Sequence, residues 1–288
     1  MKFIISLLLF ITSFYASAFQ LEIPKGYEKI QSGNSVDLYR SVDDDVYVQV
    51  VNLQSGGIIS LDGFSPDDLN KYPSKSSKNK SYLRRSIVDL YSYYSYGTTL
   101  FSVINGQFFD NGSDYTKLAF PVKSGEIVKS TEKWENLKFK TFVIDKKDNA
   151  RILDGYKSDY LNNKTYKEVF VALNPKENKN PSFSIGRNFL GIYSTSCTTQ
   201  SNCSKFDYVL FFIAKNESQG AMIDIAIDWG IDANKNLAML DGSGSSQIVS
   251  GKYSLYGSRL PWILGYDPDY RKIPHSILIY DSQNKLYF

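Results

Sequence analysis

Asp207–Gly230, "DYVLFFIAKNESQGAMIDIAIDWG", is the stretch whose reading decides the fold. Its first part, Asp207–Ala214, is a β-branched and aromatic run that predicts a strand. Its second part predicts a helix from Ser218 to Trp229, with the Ser218 hydroxyl as N-cap and Gly230 just past the end. The strand signal recurs outward from here. It marks "VYVQVVNL" (46–53), "TLFSVI" (99–104), "KFKTFVID" (138–145), "EVFVAL" (168–173), "NLAML" (236–240), "SILIY" (276–280) and "KLYF" (285–288), each bounded by turn-forming residues. A second helix is predicted in "SYLRRSIVDLYSYYSYG" (81–97), where Leu83, Ile87, Leu90 and Tyr94 keep helical spacing up to Gly97. Strands outnumber helices and do not alternate with them regularly. The expected fold class is therefore α+β, a mainly antiparallel β-sheet core with a few packed helices in a single domain, rather than a doubly wound parallel sheet.

The N-terminus reads as an address. Lys2 precedes the apolar run Phe3–Tyr15 and then Ala16-Ser17-Ala18, the small-x-small pattern of a signal-peptide cleavage site. The expectation is a signal peptide at 1–18 and a mature domain at 19–288, exported to a periplasm or secreted. The run is too short to span a bilayer, and no later stretch is apolar enough to try, so no membrane span is expected. Cys197 and Cys203, in "TSCTTQSNCS", are the only cysteines and are expected to pair as a disulfide in an oxidising compartment. Metal binding is the weaker reading of the pair, because His275 is the only histidine in 288 residues.

Composition sets further limits. A chain that is 42% hydrophobic, 15% aromatic and 22% charged has the balance of a folded globular protein. The formal net charge of +3, or +2 once Lys2 leaves with the signal peptide, is too close to balance for a nucleic-acid binder. The one basic run, Lys71–Arg85, reads first as a solvated loop and second as a platform for an anionic substrate. The sequons at Asn79, Asn111, Asn163, Asn202 and Asn216 matter only in a eukaryotic host.

Elimination narrows the chemistry. With one histidine, a Ser-His-Asp triad, a multi-histidine zinc site and a Cys-His pair all depend on His275 or are impossible, and His275, after a proline and before a strand, reads as structural. There is no G-x-S-x-G elbow and no P-loop. Carboxylates with amide and guanidinium partners remain, the equipment of a hydrolase acting on glycosidic or phosphate-linked substrates.

Three segments could carry that chemistry. "AMLDGSGSSQIVSG" (238–251) ends an apolar strand in Asp241 and follows it with Gly242, Ser243, Gly244, Ser245 and Ser246. The result is either an ordinary glycine-rich turn or a carboxylate beside unencumbered backbone N–H groups. "FSVINGQFFD" (101–110) delivers Asn105 and Gly106 from a strand end, then Phe108 and Phe109. It is either a hairpin turn with core rings or a place where backbone and ring approach a ligand. "SFSIGRNFLGIYS" (182–194) sets Arg187 between two strand-like segments, as a surface ion-pair partner or as a grip for phosphate.

Taken in order, these pieces resemble the phosphodiester glycosidase family, whose vertebrate member is the uncovering enzyme that removes N-acetylglucosamine from phosphodiester-linked mannose. The resemblance runs from about Leu83 to Gly251 and rests on "NGQFF", "RNFLGI", the strand-plus-helix quoted first, and "LDGSGSS". It implies hydrolysis of a sugar-1-phosphodiester at the glycosidic bond, on a sugar-phosphate small molecule or glycan. Asp241 and Asp224 would be the catalytic carboxylates. Asn105, Gly106, Arg187, Gly242, Gly244 and Ser245 would bind substrate. Such an oxygen-rich site suits calcium or magnesium if a divalent cation takes part. The sequence departs from the family pattern at Gln107 and Ser243, where a second glycine is usual, and at Asp224, where glutamate is usual. The alternative, from another class, is a secreted carbohydrate- or phosphate-binding module that keeps the cleft without the chemistry. Asp224 can also be read as a solvated residue on the polar side of its helix.

Overall fold

The computed structural model describes residues 21–43, 45–71, 81–110, 114–129, 136–197, 203, 205–257 and 271–282. The expected signal peptide, the segment 285–288, most of the basic run and the sequons at 79, 111 and 202 lie outside them. The strands in chain order are β1 (Tyr27–Ser32), β2 (Val36–Ser41), β3 (Val46–Asn52), β4 (Ile58–Phe64), β5 (Tyr82–Leu83), β6 (Leu100–Asn105), β7 (Tyr115–Thr116), β8 (Val122–Ser124) and β9 (Ile127–Lys129). They continue as β10 (Phe139–Asp145), β11 (Ala150–Asp154), β12 (Tyr166–Leu173), β13 (Ile185–Tyr193), β14 (Tyr208–Glu217), β15 (Leu237–Met239), β16 (Gln247–Ser250), β17 (Tyr253–Tyr256) and β18 (His275–Tyr280). The helices are α1 (Pro66–Lys71), α2 (Ile87–Ser95), α3 (Ser158–Asn162) and α4 (Gln219–Asp228). With 46% strand, 14% helix, antiparallel sheets and no closed barrel, the chain has an α+β fold. Among the described residues no helix is long and apolar enough to cross a membrane.

One large sheet runs β1-β2-β3-β14-β13-β15-β12-β10-β11, with β8 and β9 branching from β12. A second sheet has the order β17-β16-β6-β18-β4. β14 shows why its sequence is continuously apolar: Val209, Phe211 and Ile213 join one cluster while Leu210, Phe212 and Ala214 join another. The period-two alternation of a strand sends these residues to opposite faces, and both faces are covered. The first cluster lies between the sheets, where Val51, Phe142, Phe170 and Leu190 meet Leu61, Ile104, Ile277 and Ile279. The second lies under α4, whose Met222 and Ala226 pack with Phe189 and Phe212. A third covers the small sheet's other face, where Ile87 and Leu90 of α2 meet Val103, Val249 and Leu278. The order of layers is α4, large sheet, small sheet, α2. Each large apolar side chain buried in them contributes roughly 1.5–3 kcal/mol.

Helix boundaries follow the capping chemistry. Ser218 Oγ accepts from Ala221 N–H at 3.1 Å, and Gly230 takes φ 79° just past the end of α4, as the sequence predicts. Trp229 closes that helix edge-on to Tyr27 and Tyr39, with ring centroids 5.2 and 5.3 Å apart. α2 begins later than its hydrophobic spacing indicates. Ser86 caps it through Asp89 N–H at 3.1 Å, and Leu83 belongs to β5. β13 is one continuous strand, not two segments flanking Arg187.

Two polar contacts cross the apolar layer between the sheets. Ser102 Oγ on β6 donates to Gln49 Oε1 on β3 at 2.8 Å. Glu168 on β12 accepts from Leu61 N–H on β4 at 3.0 Å and from Ser124 Oγ at 3.0 Å. Burial pushes the Glu168 carboxyl up from 4.5 to about 8, against the pull of those hydrogen bonds. Cys197 and Cys203 form a disulfide with Cα atoms 5.7 Å apart.

Candidate functional site

β15 lies between β13 and β12, near the middle of the large sheet. Past its end, Leu240 N–H donates to Asn188 O at 2.8 Å, so the chain keeps alongside β13 as it delivers Asp241. A single 3-10 turn, Ser243–Ser245, follows. Ser243 sits at φ 58°, in the left-handed region that favours glycine. The turn is wedged between two glycines. A Cβ on Gly186 would stand 2.1 Å from Ser243 O, and one on Gly257 would stand 2.6 Å from the same oxygen. Gly242 holds extended backbone, and Gly244 and Ser245 are buried within the turn.

Asp241 is partly buried. Burial pushes its carboxyl up from 3.8 to about 6; Arg271, Ser245, the Gly242 N–H and Lys179 all pull the other way. Gly242 N–H donates to Asp241 Oδ1 at 3.0 Å. Ser245 Oγ stands near enough to favour the anion, yet it finds no hydrogen bond of good geometry and is buried. The outcome is a carboxylate that is ionised at neutral pH and close to its titration point.

Asn105, at the end of β6, ties the two sheets together at this spot. Its Nδ2 donates to Asp241 O at 2.9 Å. Its Oδ1 accepts from Asn188 Nδ2 at 2.8 Å and from Gln247 N–H at 3.0 Å. One amide side chain thus fixes the end of β6 against β13, β16 and the Asp241 backbone. Gly106 gives way to a neighbour inside the protein: a Cβ there would lie 2.0 Å from His275 Nδ1. His275 is fully buried. Its Nδ1 accepts from Gln107 N–H at 3.0 Å, and its Nε2 faces Leu61 O at 2.8 Å, which makes it a neutral ring protonated on Nε2 and a structural residue. The Gln107 side chain is also buried, with Nε2 on Val171 O at 2.9 Å.

The two rings of "NGQFF" carry cations. Lys179 Nζ lies 5.9 Å from the centroid of Phe108, and Arg271 Cζ lies 4.9 Å from that of Phe109. Sequence reasoning names neither cation. Lys179 stands in the charged loop "NPKENKN" and Arg271 just before β18, and neither has a pattern around it. The only available signal is the pair of adjacent aromatics that seats them.

Two expected residues take other places. Arg187 is buried, and its guanidinium is occupied by backbone carbonyls. It donates to Lys179 O at 2.8 Å, Asn180 O at 2.6 Å, Phe183 O at 3.0 Å and Glu217 O at 3.2 Å. Four of its five N–H groups are therefore committed to holding a loop. Asp224 is exposed on α4, two positions from both Met222 and Ala226, which face the sheet. At 100° per residue that is the solvent side, and no hydrogen bond or ion pair among the described residues joins it to Asp241. Asn105, Asp241, Gly242 and Ser245 do come together; the Arg187 head group is bonded to backbone carbonyls and Asp224 is exposed on α4. Among the described residues no three His, Cys, Asp or Glu side chains gather as metal ligands.

No family model matches the chain, and no curated protein matches its sequence. Similarity does appear among solved structures. The catalytic domain of zebrafish N-acetylglucosamine-1-phosphodiester alpha-N-acetylglucosaminidase, auto-inhibited by its pro-peptide, is similar with a TM-score of 0.52 at 11% identity, over 91% of this chain and 89% of that one. A hypothetical protein from Synechocystis aligns with a TM-score of 0.49 at 9% identity, over 88% of this chain, which spans 64% of that protein's length. At such identities the likeness to the zebrafish domain is one of fold.

Proposed function

We propose that this chain is an exported hydrolase that cleaves a sugar-1-phosphodiester at its glycosidic bond, releasing free sugar and a phosphomonoester. The observation that carries the reading is Asp241: a carboxylate raised to about 6, at the end of a central strand, with its backbone fixed by Asn105. As the bond between the anomeric carbon and the phosphate oxygen breaks, the bonding electrons leave with the oxygen, and positive charge develops on the sugar. The ionised Asp241 opposes that charge. Water adds to the anomeric carbon and gives its proton to Asp241. Phosphate leaves as an anion without a strong acid, so one carboxylate is enough, consistent with Asp224 lying on the solvent side of α4. The Cys197–Cys203 disulfide and the leader-like N-terminus support export.

The same isolation of Asp241 favours one second reading, a secreted module that binds a sugar phosphate without turning it over. Incubation of the purified chain with a panel of sugar-1-phosphodiesters, with and without chelator, separates the two. Release of free sugar together with phosphomonoester supports the hydrolase; saturable binding with no product sinks it.

A further inference from the structure

A second cleft opens at the C-terminal end of α4, away from Asp241. It is a cavity of about 380 Å³ whose lining includes Glu22, Pro24, Lys25, Tyr193, Asp228 and Trp229. That volume falls within the range of small-molecule sites, about 300–1,000 Å³. Strand β13 separates it from the candidate site. Gly186, near the start of β13, packs on the Ser243 turn, whereas Tyr193, at its end, lines the cleft. At 3.3 Å per residue the two ends stand roughly 20 Å apart. The walls are held in place. Leu21 and Ile23, on either side of Glu22, pack against the cluster under α4, and Gly26 O accepts from Val42 N–H at 2.9 Å. Gly230, at φ 79°, brings the helix end against the Tyr193 ring, so that a Cβ there would stand 3.0 Å from Tyr193 Cε2. The polar groups, by contrast, are uncommitted. Among the described residues no hydrogen bond or ion pair engages the exposed side chains of Glu22, Lys25 and Asp228. Trp229 Nε1 is buried and makes no hydrogen bond of good geometry, although the Tyr27 hydroxyl stands beside it. A buried donor of that kind calls for an acceptor.

We propose that this cleft binds a neutral sugar, one or two rings of a glycan, at a site separate from Asp241. Tyr193 offers a flat apolar surface to the C–H face of a pyranose. Glu22 and Asp228 accept from its hydroxyls, while Lys25 and the Trp229 N–H donate to them. A hydroxyl is donor and acceptor at once, so a sugar uses both kinds of group together. A small anion would face two carboxylates, a cation would face Lys25, and an apolar ligand would leave all four polar groups bare. Among the described residues no three His, Cys, Asp or Glu side chains gather here as metal ligands. The cleft does not depend on the hydrolase reading: a chain that turned over nothing would still hold a glycan at this end of β13.

The test titrates the full-length mature chain with glucose, glucosamine, maltose, cellobiose and chitobiose, read by calorimetry. Wild type binds at least one of the neutral sugars, and added salt leaves that affinity unchanged. Tyr193→Ala weakens it tenfold or more, and Tyr193→Phe, which keeps the ring, weakens it less. Asp228→Ala and Glu22→Ala each weaken it severalfold, as does Trp229→Phe, which removes the N–H and keeps an aromatic ring. Asp241→Asn binds as wild type does. Melting temperatures on the same samples identify any variant that has unfolded, and the exposed positions Glu22 and Asp228 decide the matter without the two aromatic ones. Four results overturn the proposal: no binding of any neutral sugar, affinity unchanged in both Asp228→Ala and Glu22→Ala, binding lost in Asp241→Asn, or a preference for glucosamine over glucose that salt abolishes, which marks a cation site instead. Sugar binding that follows the expected pattern in a protein without turnover refutes the hydrolase and leaves the cleft standing. Turnover of a sugar-1-phosphodiester by a chain that binds no neutral sugar does the reverse.

Discussion

Glu168→Gln is expected to stabilise the protein, and only above acid pH. The wild-type carboxyl sits between the two sheets with one oxygen on Leu61 N–H and the other on Ser124 Oγ. Glutamine can satisfy both contacts, its carbonyl accepting from Leu61 N–H and its amide donating to Ser124 Oγ. The sign follows from linkage. The folded carboxyl is raised from 4.5 to about 8, so below 4.5 both folded and unfolded chains are protonated and the site costs nothing. As pH rises from there to about 8, the unfolded chain ionises and the folded one does not, and stability falls; above about 8 the loss is complete. The span from 4.5 to about 8 sets a ceiling of ~5 kcal/mol on that loss. Local relaxation around a buried charge reduces the observable part to ~2 kcal/mol. Urea unfolding of wild type and variant at about pH 5 and about pH 8.5 measures it, with the linear extrapolation taken at each pH. The variant should match wild type at the lower pH and exceed it at the higher. An equal pH slope in the two proteins, or a variant less stable at the higher pH, refutes the reasoning.

Asp241→Asn keeps shape while removing charge, so melting temperature should hold while hydrolysis of a sugar-1-phosphodiester falls by several orders of magnitude; an active, folded variant ends the assignment. Because the working form is the anion and burial raises the carboxyl to about 6, wild-type kcat/KM should decline as pH drops through that value, and a profile flat across it would exclude Asp241 from the reaction. Gly106→Ala places a methyl 2.0 Å from His275 Nδ1 and should cost ~3 kcal/mol or more, read as a lower urea midpoint. Opening the six-residue separation between Cys197 and Cys203 with a double serine substitution should cost ~2 kcal/mol, and an unchanged midpoint would show that the bridge constrains nothing.

The sequence conveyed the frame most clearly where burial was one-sided or total. β14 is apolar on both faces because both are covered, so its run is unbroken and legible. β1 lies at the sheet edge with mostly exposed or half-exposed residues, and its "YEKIQS" carries no apolar pattern. Hydrophobic spacing alone starts α2 too early because Leu83 falls in phase with Ile87 and Leu90, while the Ser86 cap, a local hydrogen bond, decides where the helix begins. In the site, Asn105 and Asp241 stood out as polar residues ending apolar strands. Arg187 was conspicuous for its charge, but a guanidinium surrounded by carbonyls looks the same in sequence as one facing a ligand. Lys179 and Arg271 lie in loops without periodicity, so only the folded chain reveals that they meet the Phe108 and Phe109 rings.

The Asn105 side chain has a consequence for how this protein fails. It bonds the Asp241 carbonyl, Asn188 and Gln247 at once, and so belongs to both sheets and to the site. The small sheet cannot lift away from the large one without breaking those bonds and releasing Asp241 from its place. Local opening and inactivation are then a single event, and a partly folded copy is a silent one. Amide exchange at Gln247, whose N–H closes on Asn105 Oδ1, would report the same opening free energy as the loss of the site.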